Sequence, residues 1–124
     1  MSRVQFPSKM SRPRMSEWCG RFPTNGAAAP AAANVISSEE VTVTYAATGK
    51  YTLTFQRAVG VLYTTDVTLR MGTAAGNYAQ IDSITQTVTG IISVVIGTYN
   101  NAGTATAIAA AANNEINFDF IIQE

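Results

Sequence analysis

From Val35 onward the chain is written in period two. Val41-Thr42-Val43-Thr44-Tyr45, Tyr51-Thr52-Leu53-Thr54-Phe55 and Val67-Thr68-Leu69-Arg70-Met71 each alternate large apolar residues with polar ones. Successive side chains of a strand point to opposite faces, so this alternation buries one face of a sheet and wets the other. Ile116-Asn117-Phe118-Asp119-Phe120-Ile121-Ile122 repeats the pattern near the C-terminus. Ile91 to Tyr99 is almost continuously apolar, as in a strand covered on both faces. Tyr78 to Gln86 and a short Val35-Ile36 bring the total to about seven strands. Turn signals such as Thr48-Gly49-Lys50 and Gly72 to Asn77 separate them, at the spacing of about 8–12 residues that marks a sandwich or barrel. The expected fold is all-β: an antiparallel, jelly-roll-like β-sandwich of about seven strands, with an extended N-terminal arm.

Composition agrees and narrows the chemistry. Val, Ile and Thr number 10, 10 and 16, whereas Leu occurs three times; β-branched side chains fit a pleated surface better than a helix. Charged residues are 13% of the chain, about half the usual share, which reads as surface covered by other copies or by a larger partner, the alternative being a neutral solvated surface rich in Thr, Ala and Asn. There is no histidine and one cysteine, Cys19. That excludes a Ser-His-Asp or Cys-His nucleophile, a His-ligated haem, a Cys₂His₂ zinc and an intrachain disulfide. The longest strongly apolar run, Ile91 to Ile96, is far short of the ~20 residues that cross a bilayer. The basic N-terminus lacks the apolar stretch of a secretory signal. These features read as a chain folded in a cytoplasm, with no membrane partner and no cofactor.

The charges divide the chain. Residues 1–21 carry +4 and residues 22–124 carry −4, and all four prolines fall within the first 30 residues. Proline removes a backbone donor and disfavours both helix interior and central strand. Residues 1–34 therefore read as a basic, Pro-containing docking arm followed by an Ala-rich linker, and residues 35–124 as the sandwich domain. Within the arm, Arg3, Arg12, Arg14 and Arg21 interleave with Phe6, Trp18 and Phe22. Arginine forks bind carboxylates or phosphates, and aromatics anchor interfaces. These seven residues are the candidate partner-docking set. Nucleic acid is the weaker partner for them, because the acidic body would repel it. A free solvated tail has no reason to carry three large aromatics.

Other constellations carry less. Glu39 and Glu40 are adjacent, so in a strand they face opposite ways and cannot act as a catalytic pair. Asp66, Asp82 and Asp119 lack the spacing of a calcium loop. Gly72 to Gly76 has no following lysine or helix, as a phosphate loop needs. Thr42, Thr44, Thr52 and Thr54 form a hydroxyl face suited to solvent, a subunit contact or a sugar. Cys19 beside Trp18 and Arg21 reads as an anchor-side residue rather than a reactive thiol. Gly103 to Asn114 is open between a short helix and an irregular or extended segment.

Three stretches carry a resemblance. Gly49-Lys50-Tyr51-Thr52-Leu53-Thr54-Phe55 resembles the G-x-Y-x-V-x-F opening of small β-sandwich modules in tailed-phage virions. Tyr99-Asn100-Asn101-Ala102-Gly103-Thr104 is similar to their N-x-A-G-T turn, and Asn117 to Ile122 to their closing F-x-F-x-V strand. The resemblance covers residues 49–124 and adds no catalytic motif. The inserted Ala107 to Asn114 segment departs from the pattern. The resemblance implies a capsid decoration (cement) or head-fibre protein, a homotrimer whose arm docks on the major capsid protein or another virion protein. Its place would be the capsid surface of a virion assembled in the host cytoplasm. The alternative it implies is a tail-fibre tip or adhesin, binding a receptor or glycan through the loops around Gly72–Asn77 and Asn100–Gly103, flanked by Tyr78 and Tyr99.

Overall fold

A computed structural model describes residues 14–73 and 75–124. Eight strands follow one another: β1 (Met15–Pro23), β2 (Ile36–Ser37), β3 (Val41–Ala47), β4 (Lys50–Phe55), β5 (Val61–Arg70), β6 (Tyr78–Gln86), β7 (Ile92–Tyr99) and β8 (Glu115–Gln123). One turn of 3₁₀ helix, Ala32–Asn34, is the only helical element among the described residues. The strands form two four-stranded sheets, ordered β2-β1-β8-β5 and β3-β4-β7-β6. Every strand pairing is antiparallel. The antiparallel sandwich read from the alternation is the fold that forms.

The core lies where the alternation places it. Tyr51, Leu53 and Phe55 of β4 are buried with threonines between them, and so are Ile116, Phe118, Phe120 and Ile122 of β8, with Asn117, Asp119 and Ile121 between them. Ile92, Val94 and Ile96 of β7 are buried as well. Phe55 is the hub, with ring centroids 5.0 Å from Trp18, 6.1 Å from Phe118 and 5.6 Å from Phe120. Offset and edge-on aromatic pairs of this kind add about 0.5–1.5 kcal/mol each beyond area burial.

The division at residue 34 does not hold. β1 comes from the expected arm, yet it pairs with β8 along its whole length, from Met15 opposite Gln123 to Pro23 opposite Glu115. It inserts Trp18 (2% exposed) and Phe22 (0%) into the core. Its inward positions read Trp18, Gly20, Phe22, so the glycine interrupts the apolar signal. The packing requires that glycine: a Cβ there would stand 2.6 Å from the Phe118 ring and 2.9 Å from the Ser37 Cα. Pro23 is tolerated because it ends the strand.

The two Ala-rich segments meet, and neither forms an α-helix. Thr24 donates from its N–H to the Asn114 carbonyl (3.1 Å) and from Oγ1 to the Ala109 carbonyl (3.0 Å). The Gly26 N–H donates to the Ile108 carbonyl at 2.9 Å. Ile108 is buried, and Ala105 bridges back to Tyr99. Residues 105–114 are an irregular strap, tied down by backbone bonds and small side chains.

The sheet edges share one trait. Among the described strands, register shifts fall in β3 (between Tyr45 and Ala47), β5 (Leu62 and Thr64) and β6 (Ile81 and Ser83). All three are edge strands, and the fourth edge, β2, is two residues long. The interior pairings β1–β8 and β4–β7 are regular.

Candidate functional site

The structure disperses the seven docking candidates. Arg3, Phe6 and Arg12 lie outside the described residues. Trp18 and Phe22 are buried core residues and form no part of an exposed docking surface, which corrects their expected role. Arg14 and Arg21 are exposed. Cys19 is exposed, because its parity along β1 is opposite to that of Trp18. Its backbone N–H donates to Ser38 Oγ at 3.0 Å. Outside the arm, Arg57 covers the Trp18 ring, its guanidinium carbon 5.4 Å from the ring centre. Arg57 also pairs with Glu39 (3.1 Å) and Glu124 (3.3 Å).

The best-organised polar group lies on the outer face of the second sheet. The Lys50 ammonium donates to Asp82 and to the Tyr99 hydroxyl. Tyr99 Oη donates to Asp82 Oδ1 at 2.6 Å, and Gln80 Nε2 donates to the same oxygen at 3.2 Å. Lys50, Gly97 and Gln80 stand side by side on β4, β7 and β6. Gly97 makes room for the group, since a Cβ there would sit 2.7 Å from the Tyr99 ring and hydroxyl. Asp82 is the extra residue of the β6 bulge, and the bulge aims it at Lys50.

Its electrostatics are those of a brace. Hydrogen bonds to Asp82 and Tyr99 hold the Lys50 pKa above its ordinary value. Burial pushes Asp82 up, but the Lys50, Tyr99 and Gln80 bonds outweigh it and hold the carboxyl below the usual range. Both carboxylate oxygens are occupied, so Asp82 offers no free base.

The group props an aromatic platform. Tyr78 stacks on Tyr99 with centroids 5.5 Å apart and planes 22° from parallel, and Tyr78 is 40% exposed. The loops beside it meet: a Cβ on Gly76 would lie 3.2 Å from Asn101 Cβ. Asn100 Oδ1 stiffens its loop by accepting from the N–H groups of Ala102 (2.9 Å) and Thr104 (3.0 Å). The sequence named Tyr78 and Tyr99 as flanking residues but missed Lys50, Gln80 and Asp82. The available signals were Gly97 inside an apolar run and a lone charge in β6.

The other carboxylates do not converge with Asp82. Asp66 and Asp119 are register partners on β5 and β8, in the other sheet. Asp119 is also opposite Cys19. Hydrogen bonding with Asp119, then its like charge, pushes the Glu17 carboxyl up. Among the described residues, no group of three His, Cys, Asp or Glu side chains is placed to hold a metal. A concavity of about 600 Å³ lies over β1 and β2, lined by Cys19, Gly20, Arg21, Ile36 and Phe118 among others.

Compared with protein-family models, with curated proteins and with solved structures, the chain matches none.

Proposed function

We propose that this chain is a non-enzymatic structural protein of a tailed-phage virion, a capsid decoration or head-fibre protein. Three copies join through the sandwich, and their leading segments grip the major capsid protein or another virion protein. The observation that carries this reading is the charge division, redrawn at the start of β1. Arg3, Lys9 and Arg12 give residues 1–13 a charge of +3 with no acid, whereas residues 14–124 hold five cations and eight acids. A basic lead on an acidic body suits attachment to another surface, and three linked leads act together by avidity. The stretches of resemblance agree with it. Gly49 turns β3 into β4 at φ +68°, and Phe118 and Phe120 fill the core.

The test is deletion of residues 2–13, which stops short of β1. The shortened chain should stay folded, scatter light at about three times its monomer mass, and no longer co-sediment with capsids. Persistent co-sedimentation overturns the docking role of Arg3, Phe6 and Arg12. A monomeric mass for the full chain overturns the trimer. A second reading, a receptor- or glycan-binding tip, is favoured by the meeting of Gly76 and Asn101 beside the Tyr78–Tyr99 stack. It expects glycan-array binding that Tyr78→Ala abolishes.

A further inference from the structure

We propose that β1 is exchanged between copies of the chain, so that Trp18 and Phe22 of one copy complete the core of the next. The inference rests on the chain acting as a homo-oligomer and states how the copies join.

The topology permits the exchange. Strands β3 to β8, a continuous stretch from Val41 to Gln123, supply the whole of one sheet and the β8–β5 pair of the other. β1 is laid onto β8 from the N-terminal side. Without it, β8 offers a straight row of unpaired backbone groups. Phe55 and Tyr51 then lose the rings of Trp18 and Phe22, which stand 5.0 and 5.3 Å away. That slot must be filled in every copy. Its walls are the same whether the strand is the copy's own or a neighbour's, so both arrangements keep these contacts.

The edges disfavour the common alternative. Sandwich copies can join by pairing edge strands, but bulges and short edges block that route. Here three edges are bulged and the fourth is two residues long. The β8 edge is regular throughout, and a strand from another chain can pair there without a defect.

The linker can make the crossing. Residues 24–35 are uncharged, and twelve residues extend to about 40 Å. The longest strand, β5, has 10 residues, or about 33 Å. The linker is held to its own body by the Thr24 and Gly26 bonds, while Ala31 to Asn34 are exposed. Exchange gives up these local bonds and the burial of Thr24 and Pro30, and keeps the contacts of the β1 slot.

The single native thiol provides the test. Cys19 and Asp119 are register partners, and directly opposed Cα atoms lie about 4.5–5.5 Å apart, within disulfide span. The native chain is co-expressed with a size-tagged chain carrying Cys19→Ser and Asp119→Cys, then oxidised. Neither chain can form an intrachain disulfide. Exchange gives a covalent heterodimer on a denaturing gel without reductant, and the band disappears with reductant. Asp119→Cys alone, in the Cys19 background, is the companion variant: exchange links its copies into covalent oligomers. A monomer-sized product with both thiols consumed, together with no heterodimer, overturns the proposal. Failure of both bridges overturns it too, because exchange places β1 on β8. Light scattering on the same samples separates the two claims. An oligomer with intrachain bridges loses the exchange and keeps the assembly; a monomer loses both.

Discussion

Gly20 is the residue on which the placement of β1 turns. It faces inward between Trp18 and Phe22, with the Phe118 ring and the β2 backbone pressed against its Cα. Gly20→Ala should cost about 1–3 kcal/mol, the usual penalty for overfilling a packed core, and lower the urea midpoint accordingly. An unchanged midpoint would mean that Phe118 and β2 move aside freely. On the opposite face of the same strand, Glu17 sets a pH dependence. Its folded pKa is raised by Asp119, so the folded chain keeps that proton where the unfolded chain has released it. The contribution is present on the acid side and lost as pH rises through the folded pKa. Asp82 has the opposite sign: its pKa is lowered, so its contribution is present above the unfolded pKa and lost as pH falls through the folded one. Glu17→Gln removes the first effect and leaves the second. The variant should resist urea better than the parent near neutral pH, and the difference should close as pH falls to about 4–5, where carboxylates protonate. A constant difference across that range would assign the effect to packing instead of charge.

At the scale of elements, the strands from Val41 onward were legible and β1 was not. Strands β3, β4 and β8 bury one face against the opposite sheet, and their alternating side chains say so directly; β7 announced itself by its apolar run instead. β1 buries the same kind of face, but with only two large inward residues and a glycine between them. Four nearby prolines and an excess of arginine then outweighed that signal. The bulges were also illegible, because an extra residue such as Tyr63 or Asp82 is defined by its partner strand and not by its neighbours in sequence. The same limit hid the Lys50–Asp82–Tyr99 brace: Lys50 and Tyr99 are 49 positions apart, and only register brings them together. Removing residues 2–13 should leave the urea midpoint close to that of the full chain. Trp18→Ala should cost about 3–5 kcal/mol, a large part of the roughly 5–15 kcal/mol that holds a domain folded. A Trp18→Ala chain as stable as the parent would return β1 to the role of an appended arm.

For the whole molecule, the charge boundary and the structural boundary are different. Net charge changes sign near residue 21, but the cooperative unit begins before it, because β1 and β8 share one core. The strap 105–114 adds to this unity by tying the linker at Thr24 and Gly26 to the segment that leads into β8. Two sheets that share one aromatic centre at Phe55 have no seam along which to separate. Unfolding should therefore be a single transition. The chain's one tryptophan makes this measurable, since Trp18 sits on β1 against Phe55 and reports the β1 slot alone, while far-UV circular dichroism reports all eight strands. The two urea curves should coincide in midpoint and slope. A fluorescence change that precedes the loss of strand signal would show β1 leaving a body that remains folded. The slot on β8 would then be open at equilibrium, and the sandwich would be a six-stranded body, β3 to β8, from which β1 and the β2 that pairs only with it come away.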